Sequence, residues 1–243
     1  MEYMQIIGHR GIHGLAPENT LAGVEHALRV GVDWIEFDVR STKDGQVVVI
    51  HDSHTGRIAN ERLKISQTNS SHLTKLDTSS GQNIPTLSEF MYAIGKQSKI
   101  LVELKSRGCA KQVNEIIKTM VKSGYNYDHF MVSSFYPPLL FELYRLNKSI
   151  PLALLEYRVS LGLLSFLLNK ALPLTGVGLD HQNISRLVVR LAKKRGLFVY
   201  TYTVNDPAEA ANLKKLGIDA IVTDYPDRMK HVALDTGGAS EPK

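Results

Sequence analysis

Short apolar runs alternate with longer amphipathic stretches along almost the whole chain. The runs with strand character are Gln5–Gly8, Trp34–Val39, Ile100–Leu104, Phe130–Ser133, Leu152–Leu155, Gly176–Leu179, Phe198–Thr203 and Ala220–Thr223. Helical periodicity falls near 20–30, 87–96, 111–122, 138–146, 160–170, 184–195, 207–216 and 226–234. Regular strand–helix alternation predicts a parallel sheet. Eight such units in 243 residues predict a closed (β/α)₈ barrel rather than an open doubly wound sheet. The open sheet is further disfavoured because no glycine-rich nucleotide fingerprint follows the first strand.

The second unit breaks the pattern. After Val39 the chain continues extended through Ile50, with Asp44-Gly45 between two strand-like runs, a hairpin signal. As a two-residue turn it sets Lys43 opposite Gln46, Ser41 opposite Val48, Val39 opposite Ile50 and Asp38 opposite His51. A polar stretch over 53–85 follows, and long aperiodic connections of this kind are usually functional or mobile. The reading is one domain over 1–234, with an excursion above the barrel mouth at about 42–86, and a flexible tail over 235–243.

Composition narrows this little. Apolar content of 43% excludes wholesale disorder, and a lone cysteine, Cys109, excludes an intramolecular disulfide and any multi-cysteine metal centre. The cysteine count and the lack of a secretory pattern at the start lead us to expect a cytoplasmic protein. The +5 charge is spread along helix-like stretches such as Lys193-Lys194-Arg195, so it marks solvated faces, not a nucleic-acid surface. The most apolar run, Val159–Leu168, is far shorter than the ~20 residues of a membrane span, so no stable membrane insertion is expected.

The chemistry collects at strand ends. Glu36 and Asp38 share a face of their strand with Trp34, while Ile35, Phe37 and Val39 form the other. The apolar face should meet the helices, so both carboxylates point into the barrel. Glu103 and Lys105 likewise share a face on the neighbouring strand, which brings Glu103 beside Glu36 and Asp38. One lysine cannot balance three buried carboxylates. Three oxygen donors without cysteine suit a hard divalent ion, Mg²⁺ or Ca²⁺. His9 ends the first strand, where barrels carry catalytic groups, and Arg10 offers a planar fork suited to phosphate. The hairpin register delivers His51 to the same cluster. In Ala16-Pro17-Glu18-Asn19-Thr20, Asn19 is the expected helix N-cap. His13, His26, His54, His72 and His231 lack comparable support and read as surface or structural.

Taken in order, these pieces resemble the glycerophosphodiester phosphodiesterase family. The resemblance runs over 5–227 through His9-Arg10-Gly11, Ala16–Thr20, Glu36-Phe37-Asp38-Val39, Thr42-Lys43-Asp44-Gly45 and Val48–Asp52. It continues through Ile84–Leu87, Val102-Glu103-Leu104-Lys105, Val132–Phe135, Thr203-Val204-Asn205 and Thr223–Pro226. It implies a TIM barrel with an insertion after strand two. It also implies hydrolysis of a small glycerophosphodiester to sn-glycerol 3-phosphate and an alcohol. It assigns Glu36, Asp38 and Glu103 to the metal, His9 and His51 to general base and acid, and Arg10 and Lys105 to the phosphate. The family usually carries tryptophan where this chain has Tyr202, a departure at the pocket wall. Two alternatives are a phospholipase D-like enzyme acting on lysophospholipid or sphingolipid and a non-catalytic phosphate-binding barrel. No expected histidine or carboxylate is missing, which speaks against the second.

Overall fold

The computed structural model describes residues 3–158 and 172–234. The helical pattern at 160–170, the apolar run Val159–Leu168 and the tail at 235–243 lie outside the described residues.

Among the described residues nine strands form one sheet: β1 (Gln5–Gly8), β2 (Trp34–Ser41), β3 (Val47–Val49), β4 (Lys99–Leu104), β5 (Phe130–Ser134), β6 (Leu152–Glu156), β7 (Gly176–Asp180), β8 (Phe198–Tyr202) and β9 (Ala220–Thr223). Their order is β1-β9-β8-β7-β6-β5-β4-β2-β3, and β1 also pairs with β2. That extra pairing closes eight parallel strands into a TIM barrel, with β3 as an antiparallel addition to β2. The expected strands are found within one or two residues of their bounds.

Described helices Leu21–Val30, Leu87–Ile94, Cys109–Lys122, Pro137–Leu146, Arg186–Lys194, Pro207–Lys215 and Pro226–Leu234 surround the barrel. Their starts are written in local chemistry. Thr86 and Glu89 make a reciprocal capping box, and Asp206 caps a helix that begins with Pro207. The first helix corrects an expectation. Its N-cap is Thr20, whose hydroxyl accepts from the Gly23 N–H at 3.1 Å, and not Asn19. Asn19 sits one residue earlier at φ 55°, a left-handed conformation that asparagine tolerates. From there its side chain is free for the barrel interior.

Alternation along the strands sorts side chains into two layers. Ile35, Phe37, Val39, Val102 and Leu104 pack outward with the helices. Ile7, Trp34, Leu101, Met131, Leu155, Tyr200 and Val222 fill the barrel itself. β7 contributes glycines there, because its neighbours bring bulk. A Cβ built on Gly178 would lie 2.5 Å from Leu155 Cδ2 and 2.7 Å from the Tyr200 ring. Gly178→Ala is therefore expected to destabilise the fold by about 1–3 kcal/mol through overpacking. Thermal unfolding checks this. For a chain of this size each kcal/mol shifts Tm by about 2–4 °C, and an unchanged Tm contradicts the packing argument.

The hairpin forms, but in a different register from the one expected. Val39 pairs with Val49, Arg40 with Val48 and Ser41 with Val47. Asp38 therefore faces Ile50, whose N–H donates to Asp38 O at 2.9 Å, and His51 is not its cross-strand partner. The loop holds three residues, closed by Thr42 N–H to Gln46 O at 2.8 Å and Gly45 N–H to Thr42 O at 3.1 Å. Among the described non-glycine residues only Arg10 and Asn19 have positive φ, so Asp44 does not adopt the left-handed geometry a two-residue type I′ turn demands. Gly45 alone is left-handed, at φ 76°, which matches the three-residue loop with a glycine bulge. Asp44 selects it by accepting from Thr42 Oγ1 at 2.5 Å and from Ser70 N and Oγ at 3.0 and 2.8 Å.

The rest of the excursion is built around its own apolar cluster of Val48, Ile50, Ala59, Ile65, Leu73, Leu76 and Ile84. Hydrogen bonds from Thr42 and Ser70 pull the Asp44 carboxyl from its ordinary 3.8 to about 2. A depressed carboxylate stabilises the fold above its ordinary pKa, and that contribution is lost as pH falls through the folded value. Hydrogen exchange around Ser70–Leu73, corrected for intrinsic rates, is therefore expected to speed up as pH drops from about 4 toward 2. Constant protection over that range contradicts the assignment.

Candidate active site at the barrel mouth

The alternation of β2 and β4 puts three carboxylates on the interior face. Asp38 and Glu103 are direct neighbours in the β2–β4 register, with Glu36 one step deeper. All three are buried, and one oxygen from each lies within 4.8 Å of the others. The protein's own cations serve this group unequally. Lys105 Nζ lies 3.2 Å from Asp38 Oδ1 and 2.6 Å from Glu103 Oε1, and Arg10 Nε is 3.5 Å from Asp38 Oδ2. Asn19 Nδ2 donates to Asp38 Oδ2 at 3.0 Å. Glu36 accepts the backbone N–H of Arg10 at 2.8 Å.

The electrostatics follow. For Asp38, burial is outweighed by Lys105 and Arg10, and its carboxyl stays below the ordinary range. Burial and the nearby Asp38 push Glu103 up to about 7. Burial, Asp38 and Glu103 push Glu36 well above its ordinary value. Two carboxyls forced toward neutrality beside a third mark a site short of positive charge. A hard divalent cation fits that deficit, since all three donors are oxygens. The buried acidic triad could therefore bind a metal.

Two histidines reach the mouth, His9 from the end of β1 and His51 from just past β3. His9 Nδ1 pairs with Asp224 Oδ1 at 2.7 Å. The other Asp224 oxygen accepts from Asn205 Nδ2 at 2.7 Å, and Asn205 Oδ1 accepts from the Asp224 N–H at 2.9 Å. His51 Nδ1 pairs with Asp52 Oδ1 at 2.7 Å. An ionised carboxylate only accepts, so each pair places the ring hydrogen on Nδ1 and leaves Nε2 for a substrate. For Asp52, burial is overcome by hydrogen bonds from Arg57 and His51, and its carboxyl falls to about 2. Burial holds the His51 imidazole below its ordinary value against the pull of Asp38 and Asp52. His51 thus feels the charge of Asp38 without being the cross-strand neighbour that was expected. It reaches the mouth by a turn beyond β3 and not by strand register.

His9, Glu36, Glu103, Ser133, Tyr200 and Tyr202 share one cleft. Its wall is aromatic. Phe135 stacks on Tyr157 at 4.2 Å between centroids, and Tyr202 meets Phe135 edge-on at 5.8 Å. The Tyr202 hydroxyl donates to Glu156 O at 2.8 Å. The oxygen that distinguishes this residue from tryptophan is thus engaged by backbone.

The structure therefore brings His9, Arg10, Glu36, Asp38, His51, Glu103, Lys105 and Tyr202 to one end of the barrel. Sequence reasoning missed the partners that orient them: Asp224 and Asn205 behind His9, Asn19 on Asp38, and Asp52 beside His51. For Asp52 a signal existed in its adjacency to His51. For Asp224 the signal was weaker, a carboxylate just after the last strand, because nothing local links it to a residue 215 positions away.

Residues 9–228 match the model of the glycerophosphoryl diester phosphodiesterase family. Among curated relatives, YhdW of Bacillus subtilis is 36% identical over 237 residues, covering 92% of this chain and 96% of the relative. A glycerophosphodiester phosphodiesterase of Bacillus altitudinis is 30% identical, with 92% and 96% covered. Among solved structures, an Oleispira antarctica phosphodiesterase in complex with the product sn-glycerol-3-phosphate superposes with a TM-score of 0.85. Its identity is 28%, with 95% of this chain and 96% of that one covered.

Proposed function

The chain belongs to the glycerophosphoryl diester phosphodiesterase family, and we propose that it hydrolyses small glycerophosphodiesters to sn-glycerol 3-phosphate and an alcohol with one bound divalent cation, Mg²⁺ or Ca²⁺. The observation that carries this reading is the pairing of a buried acidic triad with two histidines, each oriented through Nδ1 by its own carboxylate.

The substrate is an anion, and Arg10 and Lys105 are the cations placed to receive its phosphate. Arg10 Nε is buried without a hydrogen bond and lies 3.5 Å from Asp38 Oδ2, which holds the guanidinium at the edge of the triad. Glu36, Asp38 and Glu103 would hold the cation. When bound, that cation adds positive charge against the phosphate oxygens as negative charge builds up in the transition state. Proton transfer falls to the Nε2 atoms of His9 and His51. One accepts the proton of the attacking oxygen, and the other delivers a proton to the alcohol oxygen as its bond to phosphorus breaks. The attacking oxygen is water or the glycerol hydroxyl next to the phosphoester, the latter giving a cyclic phosphate that water opens. Tyr202, Phe135 and Tyr157 provide an apolar wall for the carbon skeleton.

A ³¹P NMR assay tests the reading. Glycerophosphocholine and glycerophosphoethanolamine are expected to give the sn-glycerol 3-phosphate resonance. Turnover of lysophosphatidylcholine with both glycerophosphodiesters left intact overturns the substrate class, and no turnover of any of them overturns the activity.

A further inference from the structure

We propose that Arg57, in the excursion and outside the triad and histidine set, is a positioning residue that fixes His51 and Arg10 together; the inference rests on the function proposed above. The geometry is a continuous chain of charged contacts. His51 Nδ1 meets Asp52 Oδ1 at 2.7 Å, and Asp52 Oδ2 accepts from Arg57 Nε at 2.6 Å. Arg57 Nη1 and Nη2 then grip both oxygens of Glu18 at 2.7 and 2.6 Å. Each Glu18 oxygen also accepts from Arg10 Nη1, at 3.2 Å. One guanidinium thus bonds to the carboxylate behind the proton-transfer ring and to the carboxylate behind the phosphate cation.

The fork is what makes this possible. Three N–H donors of Arg57 point along two edges of one plane, one toward Asp52 and two toward Glu18, and lysine cannot reproduce that layout. Glu18 is half-buried as a residue, with its side chain only 8% exposed. Without Arg57, Arg10 would be its only guanidinium partner, drawn from the phosphate toward Glu18. Asp52 would lose the anchor that fixes its second oxygen, and the His51 ring would lose its orientation. Arg57 is not what holds the excursion together, since that segment has an apolar cluster of its own.

Steady-state kinetics on glycerophosphocholine, with Arg57→Lys and Arg57→Ala made in wild-type and His51→Ala backgrounds, tests this. Both variants are expected to lower kcat by about tenfold or more, since small misplacements of reacting groups can cost up to about 10²-fold. Both should also raise KM through Arg10. In the His51→Ala background the kcat loss should vanish while the KM rise persists. Losses that only follow the folded fraction, equal kcat losses in both backgrounds, or activity within twofold of wild type overturn the proposal. A second readout does not depend on activity. The ¹⁵N resonances of the His51 ring should move toward mixed tautomers in Arg57→Ala, with those of His9 unchanged. An unmoved His51 ring overturns the proposal even if the wild-type chain releases no sn-glycerol 3-phosphate, which by itself would count only against the proposed function.

Discussion

Chelation with EDTA is expected to reduce turnover to background, and addition of Mg²⁺ or Ca²⁺ to restore it. The cause lies in the triad's charge balance. Lys105 and Arg10 satisfy Asp38, yet Glu103 is still pushed up to about 7 and Glu36 well above its ordinary value. A divalent ion converts this repulsion into binding and supplies charge that neither cation can place between the three carboxylates. Asp38→Asn should keep the fold, because the amide can still bond Asn19 and Glu103 still pairs with Lys105. It should nonetheless lose most activity, since a neutral amide is a weak ligand for a hard cation. Thermal unfolding separates the two effects. A ligand that binds only the folded state raises Tm with its concentration, so Mg²⁺ should stabilise the wild type and leave Asp38→Asn unmoved. Full activity of the metal-free wild type would sink the assignment.

The acidic triad was legible because it depends on one local rule. Alternation on β2 and β4 separates Glu36, Asp38 and Glu103 from Phe37, Val39 and Val102, and the parallel register does the rest. The hairpin was legible as an element but not in register. Asp44-Gly45 fits both a two-residue turn and a three-residue loop. The choice is made by Asp44 reaching Thr42 and also Ser70, which is 26 positions on. A side-chain contact at that separation leaves no periodic mark. Asn19 was misread for a related reason. A cap residue and a buried amide are both asparagine before a helix, and only the placement of Asp38 distinguishes them. The carboxylate behind His9 comes from the far end of the chain, joined through barrel closure between β1 and β9. Closure is a property of the whole sheet, so what it juxtaposes is hidden from any window of sequence.

Replacing His51 or His9 by alanine is expected to lower kcat by about 10²–10⁴-fold, with KM changed far less. Each ring presents a free Nε2 because a carboxylate occupies its Nδ1, so each has one hydrogen-bonding atom to offer a reacting oxygen. The two losses should differ in kind. The histidine that protonates the departing alcohol becomes dispensable when the leaving group is a good one, because p-nitrophenolate leaves without a proton. The histidine that accepts a proton from the attacking oxygen is needed whatever departs. With a glycerophospho-p-nitrophenyl ester, one alanine variant should therefore recover most of the wild-type kcat and the other should not, and the one that recovers names the general acid. Both variants should fold, since neither ring belongs to the apolar clusters that fill the barrel and its outer layer. Retention of activity within tenfold of wild type in both variants, on the choline ester, removes the histidines from proton transfer. Equal recovery of both with the activated ester denies them separate roles.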